Sequence, residues 1–222
     1  MNQESKYWYL SQFNLIKRLN RKDLIYLCDN SLMKNYNHDN VLVHQYDHQQ
    51  YLYFLKKGTL KLSRINEEGE ELLTYLIPKG SIFGLTQLLD EDYRGNEKVV
   101  AMQRSLICKV DIKLFRELME KNKTLNNHIL KLSGLKIKKL ENKLGDIIFK
   151  TAEVRIREFV QNLVQQYGEN KGAYYEANLF LTNKDIAGLT STNRQKVNQV
   201  MNAMKKEGRI DFDKKTIRLY KR

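Results

Sequence analysis

Residues 193–202 carry a guanidinium and several amides at helical spacing: Asn193, Arg194, Gln195, Asn198, Gln199 and Asn202. Arg can form paired hydrogen bonds to guanine, and Asn and Gln can form them to adenine. A helix face that is only solvated more often carries Glu and Lys. The residue types and their spacing therefore predict a helix that reads base edges in DNA.

The stretch around these side chains, "LTNKDIAGLTSTNRQKVNQVMNAMKKE", predicts two short helices joined by a tight turn. Thr182 and Asp185 have the spacing of a capping box, which starts the first helix. That helix runs to about Leu189, and "TST" then breaks the pattern and offers a second N-cap. The second helix, from about Asn193, buries one apolar face: Val197, Val200, Met201 and Met204. Such a pair is typical of a helix-turn-helix, whose second helix enters the major groove.

The tail "GRIDFDKKTIRLYKR" predicts a β-hairpin wing that turns at Asp213-Lys214-Lys215. Its cations are expected to contact phosphates rather than bases. They are Arg209, Lys214, Lys215, Arg218, Lys221 and Arg222.

A second stretch with chemical potential is "GSIFGLTQLLDEDYRGNEKVVA", residues 80–101. Glycines beside an apolar run, followed by acids and an arginine, are one way to cradle a phosphate and pair its charge. The same pattern fits a strand, a surface turn and another strand with nothing bound.

The composition indicates a globular protein with a polyanionic partner. Of the 222 residues 41% are hydrophobic, and the net charge of +13 divides into +2 over residues 1–110, +5 over 111–150 and +6 over 151–222. Charge that only aids solubility would be spread evenly, so DNA, RNA or an anionic membrane surface is expected to meet the second half. The sequence shows neither a bilayer-spanning apolar run nor a secretion signal, which predicts a cytoplasmic protein without a membrane partner.

Cysteine and histidine usage predicts no metal and no cofactor. Cys28 and Cys108 are too few for a disulfide framework, a zinc site or a four-thiolate iron–sulfur cluster, and we expect both to be small buried residues. His44 and His48 are four apart in a segment that reads as strand and turn, where that spacing does not bring the rings together. The sequence leaves haem open, but no Cys or His lies in a stretch that suggests ligation.

The first half of the chain predicts helices followed by an antiparallel sandwich or barrel. Residues 5–29 have apolar residues at helical spacing, and residues 35–110 are short apolar runs separated by turns. Lys57-Gly58 and Glu68-Gly69 each lie between alternating runs, as tight hairpin turns do. No long helical pattern interrupts these runs.

Residues 121–150 predict a dimerisation helix. Apolar or small residues recur there at steps of 3 and 4, which is a coiled-coil seam: Leu130, Ser133, Ile137, Leu140, Leu144 and Ile147. A second stripe of Leu125, Ile129 and Leu132 can face the preceding domain. A helix packed once against its own domain is the alternative, but two stripes need two partners, which favours a two-fold homodimer.

The remaining segments complete a three-part organisation. Residues 151–167 predict an amphipathic helix with Val154 and Ile156 among its inward residues, and the polar "GENKGAYYEAN" predicts a loop. We therefore divide the chain into an N-terminal β domain over 1–120, the dimerisation helix over 121–150 and a DNA-binding domain over 151–222. The predicted fold class is α+β.

In this order of parts the chain resembles the family of the cyclic-AMP receptor protein and the fumarate–nitrate regulator (the Crp/Fnr family). The likeness rests on "LKKGTLKLSRINEEGEELLTYLIPKGSIFG", "ENKLGDIIF" and "LTNKDIAGLTSTNRQKVNQVMNAMKKEGRI" and covers nearly the whole chain. It implies a double-stranded β-helix (a jelly-roll-like β-roll) that binds an effector, a long dimerisation helix and a winged helix-turn-helix. It also implies a homodimeric transcription regulator that binds near-palindromic promoter DNA and contacts RNA polymerase.

By motif position, the resemblance assigns base reading to Arg194, Gln195 and Gln199, and backbone contacts to Thr182 and Lys184. Position 195 is often Glu in the family, and Gln changes an acceptor into a donor and acceptor, so the target sequence is expected to differ. A second departure is Ser191, which stands where many members have a turn glycine, and this implies a small local cost.

The resemblance also makes residues 80–101 the effector segment, and here the chain departs from the cyclic-nucleotide binders. Those members have Gly-Glu and then Arg-Ser; here Gly84 precedes Leu85, and Gly95-Asn96 take the Arg-Ser positions, with Arg94 one residue early. Displacement by one residue in a strand turns a side chain to the opposite face, although a loop adjustment could restore Arg94. On the helix, Leu140 and Glu141 replace the Thr and Ser that meet adenine.

We therefore expect a DNA-binding regulator whose roll does not bind cyclic AMP in the usual way. The roll either binds another small molecule or serves as a scaffold. The alternative is a ligand-sensing module that acts through protein contacts, with a basic tail that is only solvated. No Ser/His/Asp, paired-carboxylate or P-loop pattern suggests an enzyme.

Overall fold

A computed structural model of the chain describes residues 3–17, 19–44, 51–90, 92–93, 95–179, 181–213 and 215–221. Packing divides the chain into two compact units. The first comprises Met1–Glu71 and Tyr75–Lys138, and the second comprises Leu72–Thr74 and Lys139–Arg222. Within the described ranges, no helix is long and apolar enough to cross a membrane. The α+β class is confirmed, whereas the division at residues 120 and 150 stays a prediction.

The first unit contains helices at both ends and strands between them. The helices are α1 (Gln3–Leu10), α2 (Arg21–Asp29), α3 (Leu85–Leu89), α4 (Ile112–Lys121) and the first part of α5 (Lys123–Phe149). The strands are β1 (Ser31–Tyr36), β2 (Val41–Val43), β3 (Tyr51–Lys57), β4 (Thr59–Ile65), β5 (Glu71–Pro78), β6 (Ile82–Phe83), β7 (Glu97–Ala101) and β8 (Ser105–Asp111).

These strands form two four-stranded sheets. One has the order β1-β8-β3-β6 and the other β2-β7-β4-β5. The pairs β1·β8, β3·β8, β3·β6, β2·β7 and β4·β7 are all antiparallel. Alternating side chains from the inner faces of both sheets can therefore share one core. The predicted jelly-roll-like β-roll is confirmed.

One of the two predicted hairpin turns is wrong. Glu68-Gly69 does join the neighbouring strands β4 and β5, and Gly69 takes a φ of 80° that favours glycine. Gly58, however, joins β3 to β4, which belong to different sheets. Its φ is 98°, and a Cβ there would collide with Ser105. A turn residue between alternating runs marks a chain reversal, but the sheet that receives the next strand depends on nonlocal pairing.

Two hydrophobic cores lie in this unit. The larger joins Phe13 and Ile16 to α4 and to one face of the first sheet. Both residues are buried as predicted, but they lie in turns between α1 and α2 and not in a helix. The second is the interior of the roll and includes Tyr53, Leu55 and Ile107. Cys28 and Cys108 are both free and buried in the larger core, as expected, and burial raises the pKa of the Cys28 thiol to about 11.

Helix α5 has the two faces that its sequence predicts. Leu125 and Ile129 are buried, and Leu132 packs against the same larger core. The seam leucines and isoleucines, in contrast, are 39% to 66% exposed: Leu130, Ile137, Leu140, Leu144 and Ile147. Ser133 is half-buried, and its hydroxyl donates to the carbonyl of Ile129 within the helix (3.0 Å).

The second unit consists of helices around a small sheet. Its further elements are α6 (Ala152–Tyr167), β9 (Glu169–Asn170), β10 (Tyr174–Asn178), α7 (Asn183–Thr190), α8 (Arg194–Lys206), β11 (Ile210–Phe212) and β12 (Thr216–Tyr220). The sheet has the order β11-β12-β10-β9.

The predicted loop over 168–178 is therefore wrong, because it contains β9 and β10. Strand β10 pairs antiparallel with β12 from Tyr174 opposite Tyr220 to Asn178 opposite Thr216. This partner lies some forty residues further along the chain, so a local pattern of polar residues could not indicate it. The inward prediction for Val154 is also wrong, since its side chain is 40% exposed, whereas Ile156 is buried.

Candidate nucleic-acid interface

Helix α7 starts at the predicted capping box. The backbone N–H of Asp185 donates to Thr182 Oγ1 (3.1 Å), and Asp185 Oδ2 accepts from the Thr182 backbone N–H (2.8 Å) and hydroxyl (2.9 Å). Two otherwise unsatisfied donors are thereby bonded. The Thr182 hydroxyl is thus engaged with Asp185, while Lys184 next to it is exposed.

The turn after α7 passes through Ser191 in the left-handed conformation. Its φ is 53° and its ψ is 55°. The resemblance places a turn glycine at this position in many family members. The Thr192 N–H donates to the carbonyl of Ala187 (2.9 Å), and the buried Thr190 hydroxyl donates to the carbonyl of Ile186 (2.7 Å). These bonds close the helix over a residue that bears a side chain.

Helix α8 is capped by Asn193, not by the Thr and Ser of the turn. Asn193 Oδ1 accepts from the backbone N–H of Lys196 (2.8 Å). Asn193 was also expected to read a base. Its carbonyl oxygen accepts the capping bond through one of two lone pairs, and its base reading stays a prediction.

The two faces of α8 separate as predicted. Val197, Val200, Met201 and Met204 are buried, and on the opposite face Arg194, Gln195, Asn198, Gln199 and Asn202 are exposed. Among the described residues, no side-chain hydrogen bond or ion pair engages Arg194 or Gln195. Both side chains lie on the first turn of α8, the part of such a helix that enters a groove.

The amides further along α8 contact one another and a residue of α7. Asn198 Oδ1 accepts from Asn183 Nδ2 (3.3 Å) and from Asn202 Nδ2 (3.4 Å), and Gln199 Oε1 accepts from Lys196 Nζ (3.3 Å). Sequence reasoning missed Asn183. The signal that could have indicated Asn183 is its position directly after the N-cap of α7, next to α8.

The wing turn between β11 and β12 is held by Asp213. Its Oδ1 accepts from the backbone N–H groups of Lys215 (2.7 Å) and Thr216 (2.9 Å), and the bond from the Lys215 N–H is the main reason why the pKa of Asp213 is lowered. Lys215 is exposed at this turn. Lys214, also predicted to bind DNA, and Arg222 lie outside the described residues.

Other cations of the tail are engaged inside the unit, which the sequence did not indicate. Arg218 Nε donates to Glu176 (2.7 Å), and its Nη1 lies 3.7 Å from Asp211. Lys221 Nζ donates to Asn170 (2.6 Å). The charge of Arg218 is thus balanced within the sheet, and its expected phosphate contact stays a prediction.

Arg157, which sequence reasoning did not single out, fastens the end of α8 to α6. Its guanidinium donates to both carboxylate oxygens of Glu207 (2.7 and 2.8 Å) and to Glu153 (3.0 Å). The paired bonds to Glu207 are the first cause of its raised pKa. These bonds tie the C-terminal end of α8, the end opposite to Arg194 and Gln195, to α6.

The predicted effector positions of the roll are occupied by structural contacts. Gly84 caps α3 with a φ of 93°, and a Cβ there would lie 2.5 Å from the Tyr51 carbonyl oxygen. Leu85 packs against the larger hydrophobic core. Arg116 of α4 donates to the carbonyls of Gln87 and Leu88 (both 2.9 Å), which holds the short helix α3 in place.

The second part of this segment is similarly engaged. A Cβ on Gly95 would lie 2.6 Å from the Tyr93 ring, and Asn96 Nδ2 donates to the carbonyl of Ile65 (2.7 Å). Arg94 lies outside the described residues. The other two predicted pocket residues, Leu140 and Glu141, are exposed on the part of α5 that belongs to the second unit.

The interior of the roll is apolar and aromatic. Tyr53 and Phe83 stack with ring centroids 4.6 Å apart and nearly parallel planes, and Leu60, Ile77 and Val99 surround this core. Over the described ranges, no group of three or more His, Cys, Asp or Glu side chains is placed to hold a metal ion.

Comparison with known proteins identifies both halves of the chain. The model of the cyclic nucleotide-binding domain matches residues 33–122, and that of the Crp-like helix-turn-helix domain matches residues 154–222. Together they span more than half of the 222 residues. The match to the first of these family models identifies the roll.

Curated relatives agree in both halves. Regulatory protein HlyX of Actinobacillus pleuropneumoniae is 24% identical over 171 residues, which is 77% of this chain and 70% of that protein. The cAMP-activated global transcriptional regulator CRP of Salmonella typhimurium is 23% identical over 183 residues, 81% of this chain and 85% of that protein.

A solved structure of a CooA mutant from Carboxydothermus hydrogenoformans has a TM-score of 0.69 and 21% identity, and the match covers 96% of this chain and 94% of that one. At this identity, the likeness shows the fold alone. The chain has a β-roll, a long helix and a capped helix-turn-helix in that order, and the two family models match its two halves in the same order. The chain therefore belongs to the Crp/Fnr family of DNA-binding transcription regulators.

Proposed function

We propose that this chain is a homodimeric, sequence-specific regulator that reads DNA with the exposed face of α8. The observation that carries the proposal is the exposed pair Arg194 and Gln195 on the first turn of a helix whose other face is buried. Arg194 offers the paired donors that fit guanine, and Gln195 offers a donor and an acceptor that fit adenine.

The side chains further along and beside α8 have supporting roles. Gln199 and Asn198 contact later bases. Because Asn198 Oδ1 accepts from Asn183 and Asn202, Asn198 contacts its base through its amino group. Lys184, Thr182, Lys214 and Lys215 contact phosphates and set the register.

Dimerisation through α5 is the second element of the proposal. Its support is the row of exposed apolar side chains at heptad spacing, since such a row is unfavourable in water and is buried when two copies pair. Two copies related by a two-fold axis read two half-sites about one helical turn apart. We also propose that the DNA-bound dimer contacts RNA polymerase and regulates transcription in this way.

For the roll we propose that cyclic AMP is not its ligand. The support is that Leu85, where the cyclic-nucleotide binders have Glu, packs against the larger core, and that the Asn96 amide donates to the carbonyl of Ile65. The roll then acts as a scaffold or takes a small molecule of other chemistry.

The experiment that tests the proposal is selection of bound sites from random duplexes, followed by affinity measurements. We expect a two-fold site to bind at least about 10³ times more tightly than random DNA at physiological salt, with a steep decrease in affinity as salt rises. Equal affinity for random duplex, or no gain from a second half-site, would contradict sequence-specific dimeric binding and would favour a module that acts through protein contacts.

A further inference from the structure

Arg155, near the start of α6, joins two helix ends in the second unit. Its Nε donates to the carbonyl of Thr190 (3.0 Å) and its Nη2 to that of Ser191 (3.0 Å), at the end of α7. Its Nη1 donates to the carbonyls of Lys150 (2.6 Å) and Ile147 (3.4 Å), at the end of α5. One guanidinium thus spans the dimerisation helix and the turn of the helix-turn-helix.

The four acceptors are groups that the helices themselves leave unsatisfied. The last carbonyls of a helix have no N–H partner in the next turn and carry the negative end of the helix dipole. At the end of α7, the N–H groups of Ser191 and Thr192 donate to Gly188 and Ala187, which leaves the carbonyls of Thr190 and Ser191 to Arg155. A cation therefore fits this junction both as a donor and as a charge.

The neighbouring cation does not compete for this position. Lys150 Nζ pairs with Asp146 (2.8 Å) and with Glu158 (2.7 Å). Arg155 alone among the described cations bonds to both helix ends. Its planar fork is suited to this because its donors point in fixed, diverging directions, which a Lys ammonium on a flexible stem does not reproduce.

We propose that Arg155 is a positioning residue that sets the angle of the recognition helix relative to the dimer axis, and so selects the spacing between half-sites. This inference rests on the proposed function. Helix α5 carries the dimer seam, and Thr190 and Ser191 lead directly into α8. Because Arg155 bonds to the ends of both α5 and α7, it fixes the orientation of α8 relative to the dimer seam. Arg155 does not contact bases in this scheme.

The test uses the full chain and a series of two-fold sites whose spacer differs by one or two base pairs on either side of the optimum. We expect the wild type to prefer one spacer strongly. Arg155→Gln should retain its dimer mass and its affinity for a single half-site but should lose about tenfold of its preference for the optimal spacer. Arg155→Lys keeps the charge but not the fork, so its spacer preference should be weaker than that of the wild type and stronger than that of Arg155→Gln.

Arg157→Gln is the matched control, because it removes the same group two residues later and breaks a bond to the far end of α8. It should lower thermal stability and keep the spacer preference. Full spacer preference in Arg155→Gln, equality of Arg155→Lys with the wild type, or an equal loss in Arg157→Gln would overturn the role of Arg155. If the wild type itself prefers no spacer, the dimeric reading of DNA fails, and this inference fails with it.

Discussion

Both the recognition face of α8 and the effector segment of residues 80–101 are located by resemblance to one family. Their side chains differ: those on α8 are exposed, whereas those of the effector segment pack and bond within the fold. On α8, Arg194 and Gln195 project from a helix that is capped and fastened at its end by Arg157. In the effector segment, Leu85 and Asn96 are used to pack and bond the fold itself. A binding position stays available only where the fold does not need its side chain.

The difference also concerns which part of the chain carries specificity. The α8 face keeps a guanidinium, the group that the family uses there, and alters its neighbour to Gln. The roll keeps the glycine turn at Gly84 but has lost the carboxylate that would hold a ribose. By the resemblance, the roll has the backbone form of the cyclic-nucleotide binders without their carboxylate, whereas α8 has the guanidinium expected to read bases, and the following variants test that contrast.

The largest effect is expected from the dimer seam. Leu140→Glu places a charge in the proposed interface, so the protein should become monomeric and its affinity for a two-fold site should fall about 10²- to 10⁴-fold, since the two half-sites no longer bind as one unit. Sedimentation and DNA titration measure both effects. Leu135→Glu, which changes an exposed leucine of α5 outside the seam, should remain dimeric. A dimeric Leu140→Glu protein would exclude this seam.

The next effect concerns base reading. Arg194→Ala should lose about 1–3 kcal/mol of discrimination at one base pair in each half-site, because the paired bonds to guanine are removed. Titration against all single-base variants of the selected site measures it. Lys215→Ala is the control on the wing: it should weaken binding to all sequences alike and lower the salt slope by about 1. If Arg194→Ala also weakened all sequences uniformly, its side chain would contact phosphates instead.

Restoring the missing carboxylate in the roll should lower its stability and should not create cyclic-AMP binding. Leu85→Glu buries part of a carboxylate against the larger core and should cost about 1–2 kcal/mol of folding free energy, with no rise of the thermal midpoint on addition of cyclic AMP. Leu89→Glu on the exposed side of the same short helix should have little effect. A cyclic-AMP-dependent stabilisation of Leu85→Glu would mean that the pocket is intact and lacks only its carboxylate.

The smallest effect is expected at the turn between α7 and α8. Ser191→Gly should raise stability by about 0.5–1 kcal/mol, because a side chain at a φ of 53° is strained and Gly is not. Chemical denaturation measures the gain. Asp39→Gly, at a φ of 63° in the roll, should gain less, since Asp tolerates this conformation better and Asp39 also contacts His38 (2.9 Å). A loss of stability in Ser191→Gly would show that the hydroxyl has a role of its own.

Much of the recognition unit could be predicted because its signals are local. The capping box of Thr182 and Asp185 and the buried stripe of Val197 and Met201 involve residues three or four apart, and the structure has them as expected. The same holds for Leu125 and Ile129 of α5, the second stripe on a helix otherwise exposed along its seam.

The errors have a common physical cause. Strand β10 was read as a loop because its partner, β12, is distant in sequence, and Gly58 was read as a hairpin because sheet membership is not a local property. Each miss concerns a bond whose partner the local pattern did not supply.

The sequence alone determined the class of this protein, its order of parts and which face of α8 is exposed, because periodicity and helix caps are encoded within a few residues. The tertiary structure decided which of these side chains remain available. Leu85 packs against a core and Arg218 is paired with Glu176, whereas Arg155 links α5 to the turn before α8. These outcomes depend on residues brought together across tens of positions, where packing and unsatisfied carbonyls, not spacing, choose the partner.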